Sequence, residues 1–483
     1  MLCAAKIGFG DNKKHLCFLW VFLHGYWNYT LNVLGFKNYM TIGSKRELII
    51  LFLGDLVSLA VAFWLALAVR AAEMPSFATL SAYASSLIPL SLLWMFTFFI
   101  AGLYEKHALV FEKKLPSTIF NAQIANSLIA VIFFYLFTPY LGITPKTILV
   151  LYLVASTVLI VLWRLLGPAL FGIKRQEAAI LIGSGDEMRT LKDEVNTNRR
   201  YNLNFVSSVD LSHIEGIDFK AEIINRIYSE KITSVVIDLR NEKAEAILPA
   251  LYNLIFSGVR FHDMHKVYEE VFERIPLSLV RYSWFLENIS SSSHAGYDIL
   301  KRIMDMTTAF VLGILSLPLY PLVALAIKLD DHKKVFIFQD RMGKNNTVIK
   351  IIKFRSMARS SDGDNKVTRI GKLLRATRID ELPQLWNVVK GDLSLVGPRP
   401  ELPELVKVYE KEIPYYKVRH LVTPGLSGWG QIKDYNVPRG TADVDRTRTK
   451  LSYDLYYIRN RSFMLDLTIA LKTIKTLLSR SGN

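Results

Sequence analysis

Cysteine is nearly missing from this chain: of 483 residues only Cys3 and Cys17 are cysteine, both close to the start. Two thiols there cannot staple the body of the protein, and no Cys/His spacing suited to a metal occurs. Charge is sparse as well. Asp, Glu, Lys and Arg make up 21% of the residues and hydrophobic residues 51%, with a mean hydropathy of +0.24. That is too apolar for a soluble enzyme of the roughly three domains the length suggests, and too apolar for a disordered chain. Acidic residues are the scarcer sign, 43 against 59 Lys and Arg, for a net charge of +16. A basic excess on an apolar chain points to an anionic membrane face or to phosphorylated substrates. No basic arm or zinc-finger pattern points to nucleic acid, so no nucleic-acid partner is expected. The balance predicts a membrane-attached protein on the reducing side.

Residues 1–39 form an N-terminal extension of unknown role. The run Leu16–Leu23 follows Lys6, Lys13 and Lys14 as a signal peptide would, but no small-residue cleavage pattern follows it. An over-long start, with Met40 as the natural beginning, is the preferred reading. Residues 40–170 read as a membrane α-helical bundle of four spans, built on Leu48–Val69, Tyr83–Leu103, Ala122–Leu141 and Thr147–Leu166. Each approaches the ~20 residues that a spanning helix requires. Lys45 and Arg46 precede the first span, Lys106, Lys113 and Lys114 fill the second connection, and Lys174 and Arg175 follow the fourth. The positive-inside rule then puts the start, the second connection and everything after Arg175 in the cytoplasm. Asp55, inside the first span, faces either water or a neighbouring helix.

Residues 176–290 read as a Rossmann-like α/β domain. Ala178–Ile182, Leu203–Val209, Ile232–Leu239 and Val259–His262 are strand-like, with helices after Gly185 and over Lys243–Phe256. Gly183 and Gly185 permit a tight turn, and Asp210 lies where a ribose-binding acid would. Met188, however, replaces the third glycine of the dinucleotide fingerprint.

The last region, 298–483, opens with an apolar element at 301–328. Lys301 and Arg302 precede it, Lys328, Lys333 and Lys334 follow its end, and Pro318 interrupts its middle. Basic residues at both ends favour both ends on one side, and a mid-depth proline breaks the helix. A re-entrant membrane helix is expected; the alternative is a kinked span. Polar motifs then crowd a mainly α domain. Asp380 and Glu381 stand before a short helix ending at Gly391, with Asp380 as its expected N-cap. Two adjacent carboxylates can share Mg²⁺ with a diphosphate, and a carboxylate can attack phosphorus. Alone, such a pair is more often only a cap. Lys353, Arg355, Arg375, Arg378 and Arg399 add cations, and Pro398 and Pro400 pin the backbone around Arg399.

These strings resemble the bacterial sugar transferase family, the monotopic polyprenyl-phosphate phosphoglycosyl transferases. The matching stretches are KRIMD (301–305), KFRSM (353–357), DELPQLWNV (380–388), KGDLSLVGPRP (390–400), PGLSGW (424–429) and DLYYIRNRS (454–462). Four spans followed by a Rossmann-like domain are similar to the family's long form, which includes undecaprenyl-phosphate glucose or galactose phosphotransferases. The resemblance implies transfer of a sugar phosphate from a UDP-sugar to undecaprenyl phosphate with release of UMP, as the first membrane step of exopolysaccharide, capsule or O-antigen synthesis. It implies Asp380 as nucleophile, Glu381 with Asp380 at Mg²⁺, and Lys353, Arg355, Arg378, Arg399 and Asp454 as substrate-binding residues. Pro318 would be the re-entrant break, although the serine that often precedes it is Leu317 here, with Ser316 one place earlier. The implied location is the bacterial inner membrane, in contact with its lipids and with the catalytic domain cytoplasmic; the four-helix bundle and middle domain are where a homodimer or regulation could be supported.

Two other classes fit the residues less well. A nucleotide-sugar dehydratase or reductase would need a Tyr-x-x-x-Lys pair, and none lies between Glu177 and Ser291. A membrane scaffold that senses nucleotide would leave the C-terminal motifs without a purpose. The segment Phe463–Leu478 fits either an interfacial helix or core packing.

Overall fold

The structure, a computed structural model, describes residues 45–104, 115–141, 146–170, 176–198, 201–213, 219–290, 295–359, 365–433 and 443–478. The extension 1–39 and the basic residues Lys106, Lys113, Lys114, Lys174 and Arg175 lie outside them. Four helices come first: Lys45–Ala71, Phe77–Ala101, Leu115–Leu141 and Lys146–Leu170. The first, third and fourth are long and apolar enough to cross a membrane. The second is bent by 57°; Pro89 lies just after the bend and has no N–H for the carbonyl one turn earlier. Apolar residues such as Leu53, Val57, Leu128, Val131 and Val150 are exposed on the outer face, the surface that lipid would cover.

Several polar side chains inside this bundle pair with one another. Asp55 is fully buried and pairs with Arg164 of the fourth helix. Tyr104 Oη donates to Asp55 Oδ2 at 2.7 Å, and Arg164 Nη1 to the Leu103 carbonyl at 2.9 Å. The carboxylate thus faces a neighbouring helix, and it ties the first helix to the fourth. A buried charge is tolerated only when paired in this way. Gly54 lets the same helices close up, because a Cβ there would stand 1.8 Å from the Trp163 ring.

An α/β region comes next. Strands β1 (Glu177–Gly183), β2 (Leu203–Asp210), β3 (Ser234–Ile237) and β4 (Arg260–Asp263) form a parallel sheet in the order β2-β1-β3-β4. Alternate residues of β1 serve opposite faces. Ala179 and Leu181 pack with Met188 and Met264, while Ile180 and Ile182 pack with Ile223 and Leu251. Both faces are therefore covered, which explains why β1 reads as one continuous apolar run. The third strand is shorter than its sequence pattern suggests. The helix expected over 243–256 is divided into Glu242–Glu245, Leu248–Tyr252 and a 3₁₀ turn, Asn253–Ser257, because Pro249 lacks the N–H that would continue the first piece.

The residues around the β1 turn make their contacts within the chain. Asp186 and Glu187 occupy the first turn of the helix Asp186–Thr197, where a pyrophosphate would sit. Asp210, which lies where a ribose-binding acid would, accepts from the backbone and hydroxyl of Ser212 at 2.9 and 2.6 Å. The region instead grips the C-terminal part of the chain. Ile275 N donates to Ser452 O at 3.0 Å, Lys433 Nζ pairs with Glu273 at 2.6 Å, and Arg459 pairs with Glu269.

The helices Ala295–Ser316 and Leu319–Asp331 meet at 59°. Pro318 offers no N–H to Ile314 O, nor Pro321 to Leu317 O, so two helical bonds are missing at the bend. Leu317 N turns to Ile314 O at 3.1 Å, and the Ser316 hydroxyl donates to Gly313 O at 2.7 Å. The serine one place early thus bonds a carbonyl on the first arm, next to the break. The hairpin β5 (Phe336–Met342) and β6 (Val348–Phe354) comes after the bent pair, then the two strands β7 (Met357–Arg359) and β8 (Asn365–Val367). Strand β9 (Ser394–Val396) lies parallel to β10 (Gly425–Ser427), and the chain ends on helices Val444–Asn460 and Phe463–Leu478. The last helix is split in character: Ile469 and Leu471 are buried, whereas Phe463, Met464, Ile474 and Leu477 are exposed.

Candidate active site

The dyad does not sit where a helix cap would put it. Residues Ile379–Glu381 form their own 3₁₀ turn, started by Arg378 in the left-handed region (φ 54°). The next helix, Gln384–Lys390, begins only after Pro383 and makes no side-chain cap bond. The N–H groups of Glu381 and Leu382 already bond Arg378 O and Ile379 O at 3.1 and 3.2 Å. Asp380 therefore has no orphan donors to cap, which corrects the N-cap expectation and leaves its carboxylate unspent. Gly391 does end the helix as expected, in the left-handed region (φ 105°). Trp386 anchors this helix on Gly313 of the bent pair, where an added Cβ would stand 3.3 Å from the indole.

Two neighbouring carboxylates occupy opposite electrostatic positions. Lys353 Nζ lies 3.2 Å and Arg399 Nη2 3.4 Å from Glu381 Oε1, and Arg378 Nη1 lies 3.4 Å from Oε2. Burial would raise the Glu381 pKa, but Arg399, Lys353 and Arg378 together override it and bring it down to about 2. No described side chain bonds or pairs with the Asp380 carboxylate, although the residue is buried. Burial, then the negative Glu381 beside it, push Asp380 up to about 6 against the pull of Lys353, Arg375 and Arg378. Glu381 is a fixed anion that gathers cations. Asp380 is a buried carboxylate with a raised pKa and no side-chain partner among the described residues.

The Arg399 turn is held from behind. Buried Arg419 donates to Arg399 O at 2.9 Å and pairs with Asp454 at 2.8 Å. Arg341 Nη1 donates to Pro400 O at 3.2 Å. Gly397 and Gly425 let β9 and β10 approach here, since a Cβ on Gly425 would stand 2.1 Å from Gly397 N. Of the sequence-predicted residues, the fold gathers Lys353, Arg378, Glu381 and Arg399 into one cluster beside Asp380. Arg355 stands directly after β6, half-buried, with its backbone N–H on Val335 O at 2.8 Å. Asp454 lies a layer deeper, 2% exposed, among Arg419, Lys450 and Glu401; it reaches Arg399 only through Arg419. Arg341 and Arg419 carry no sequence signal of this role beyond the dense polar strings around them.

A cleft of about 180 Å³ opens beside Arg378 and Glu381. Among the described residues no three His, Cys, Asp or Glu side chains converge on a metal position. The Asp380–Glu381 pair still suits Mg²⁺, which takes one or two carboxylates and completes its shell with water and substrate phosphate.

One carboxylate held by three cations beside another with no side-chain partner among the described residues is an arrangement suited to an anionic ligand. The family model described as bacterial sugar transferase matches residues 296–480. A UDP-N-acetylgalactosamine-undecaprenyl-phosphate N-acetylgalactosaminephosphotransferase of Aeromonas hydrophila is 46% identical over 195 residues, covering 38% of this chain and 45% of that protein. A UDP-glucose:undecaprenyl-phosphate glucose-1-phosphate transferase of Caulobacter vibrioides is 40% identical over 191 residues, covering 38% of this chain and 71% of its own length. An undecaprenyl-phosphate glucose phosphotransferase of Komagataeibacter xylinus is 32% identical over 318 residues, 61% of this chain and 58% of the relative. The chain thus spans about half the length of the first and third of these relatives. It belongs to the bacterial sugar transferase family.

Proposed function

We propose that this protein transfers a sugar 1-phosphate from a UDP-sugar to undecaprenyl phosphate and releases UMP, in the first membrane step of a surface polysaccharide. The observation that carries this reading is the asymmetry of the dyad: three cations converge on Glu381, while Asp380, raised to about 6, has no side-chain partner among the described residues. The names of the A. hydrophila and C. vibrioides relatives supply the substrate classes.

In the first half-reaction an Asp380 carboxylate oxygen attacks the sugar-bearing phosphorus. The P–O bond to UMP breaks, UMP leaves with the electron pair, and a sugar phosphate remains as an acyl phosphate on the protein. In the second, a phosphate oxygen of the polyprenyl carrier attacks the same phosphorus. The P–O bond to Asp380 breaks and the carboxylate is restored. Arg399 and Lys353 bind donor phosphate oxygens and, with Arg378, offset the repulsion between two anions. Bound Mg²⁺, held by Glu381 and Asp380 with the diphosphate, would supply further charge neutralisation. The bent pair dips into one leaflet and returns, and the first four helices span, so the site faces the cytoplasmic surface of the inner membrane.

The test is to supply a panel of UDP-sugars with Mg²⁺ and undecaprenyl phosphate and to measure UMP. Release dependent on one donor is expected, with loss in Asp380→Asn. Equal turnover by that variant would overturn the assignment.

A further inference from the structure

The cleft beside the dyad has two unlike ends. Arg378 and Glu381 place charge at one of them. Elsewhere the walls are mostly apolar, Leu382, Leu385, Leu426, Ile432 and Leu477 of the C-terminal helix, with Gln431 and Thr476 among them. Two polar groups on its lining, Ser427 and Thr473, bond each other at 2.5 Å and so add little polarity to the space.

Membrane elements frame the cleft on both sides. Leu385 packs in one cluster with Ala309, on the first arm of the bent pair, and the adjacent Trp386 rests on Gly313 near the bend. On the opposite side, Lys475 Nζ of the C-terminal helix donates to the carbonyl of Ala101, the last residue of the helix Phe77–Ala101, at 3.3 Å. Exposed Ile474 and Leu477 flank that lysine. The cleft therefore lies beside the apolar helices, with charge at its Arg378–Glu381 end and mostly apolar walls elsewhere. A soluble nucleotide-sugar presents no surface that matches an apolar wall, whereas a lipid phosphate presents an apolar chain behind an anion.

We propose that this cleft seats the first isoprene units of the polyprenyl phosphate acceptor, with its phosphate directed inward to Arg378. The donor then approaches from the Lys353–Arg399 side, and the two substrates use different walls around Asp380. This assignment rests on the transfer reading above and adds the path of the acceptor to it.

Because the proposed reaction runs in two halves, the path can be tested apart from the chemistry. Leu477 is 39% exposed, so the folded protein accommodates replacement there. Full-length protein in lipid nanodiscs would be compared with Leu477→Arg and Leu477→Met. The expected result for Leu477→Arg is an unchanged burst of UMP with donor alone and a rise of about tenfold in KM for undecaprenyl phosphate, the loss expected from one or two buried methylenes. Its preference for undecaprenyl phosphate over a ten-carbon polyprenyl phosphate should narrow, and Leu477→Met should match the unaltered protein. An unchanged KM and chain-length preference would overturn the proposal. So would a lost UMP burst with an unchanged acceptor KM, which would give the cleft to the donor. Failure of the unaltered protein to release UMP would instead remove the transfer reading itself, and this proposal with it.

Discussion

Asp380 and Glu381 are chemically near-identical neighbours, and the fold drives them apart by surroundings alone. One is surrounded by Lys353, Arg378 and Arg399 and stays ionised down to about pH 2; the other sits buried beside that charge and takes a proton near pH 6. Asp380→Asn should therefore lower adduct formation by at least about 10⁴-fold, as loss of a covalent nucleophile does, with membrane association retained. The pH dependence has a definite sign. In the proposed reaction the attacking species is the carboxylate, so the UMP burst should fall as pH drops through about 6, the value to which Asp380 is raised. Glu381 cannot produce a fall in that window. Arg419 makes a different kind of prediction. Arg419→Met leaves Asp454 buried without its closest partner, and urea unfolding should register a loss of about 3–5 kcal/mol. At this scale the sequence is legible in part. Lys353, Arg378 and Arg399 stand out because they accompany the dyad and a rigid turn. Asp380 as an N-cap does not hold, because a left-handed Arg378 opens a separate 3₁₀ turn, a backbone choice that local residue preferences do not encode. Arg419 is invisible in the string because its importance comes from carbonyls and carboxylates far away in the chain.

Among the elements, the bend at Pro318 results from missing backbone donors, and that cause is readable directly from Pro318 and Pro321. If the pair re-enters, both of its ends lie on one side. In a Cys3→Ser, Cys17→Ser background, Lys334→Cys should react with an impermeant thiol reagent only after the membrane is opened. Adding Pro318→Ala and Pro321→Ala restores two helical bonds, worth on the order of 1 kcal/mol each, and should let a fraction of molecules label from outside. Labelling from outside without those changes would contradict a re-entrant element. The C-terminal helix shows where sequence pattern runs out. Its apolar periodicity fits both core and interface, and the structure uses both: Ile469 and Leu471 inward, Phe463 and Met464 outward. Only the packing of its neighbours separates those faces.

Across the whole molecule, the chemistry is concentrated in the last part of the chain and the α/β region is fastened to it by polar contacts. Glu273 and Glu269 pair with Lys433 and Arg459, and Trp429 Nε1 donates to Glu273 O at 3.0 Å. Removing the two cations by Lys433→Ala with Arg459→Ala should cost about 1–3 kcal/mol. Thermal unfolding should separate toward two transitions, and the UMP burst should survive. The apolar helices and the alternating strands are readable because burial imposes their patterns over many residues. How the α/β region is fastened is not, because single long-range ion pairs leave no periodicity. The central claim is that a sugar phosphate passes through Asp380. It is tested most directly by incubating the full-length protein with a UDP-sugar labelled in the sugar, without acceptor, and mapping the label by mass spectrometry. One labelled peptide is predicted, modified at Asp380 and cleared on adding undecaprenyl phosphate. Product formation at full rate with no label ever on the polypeptide would contradict the claim.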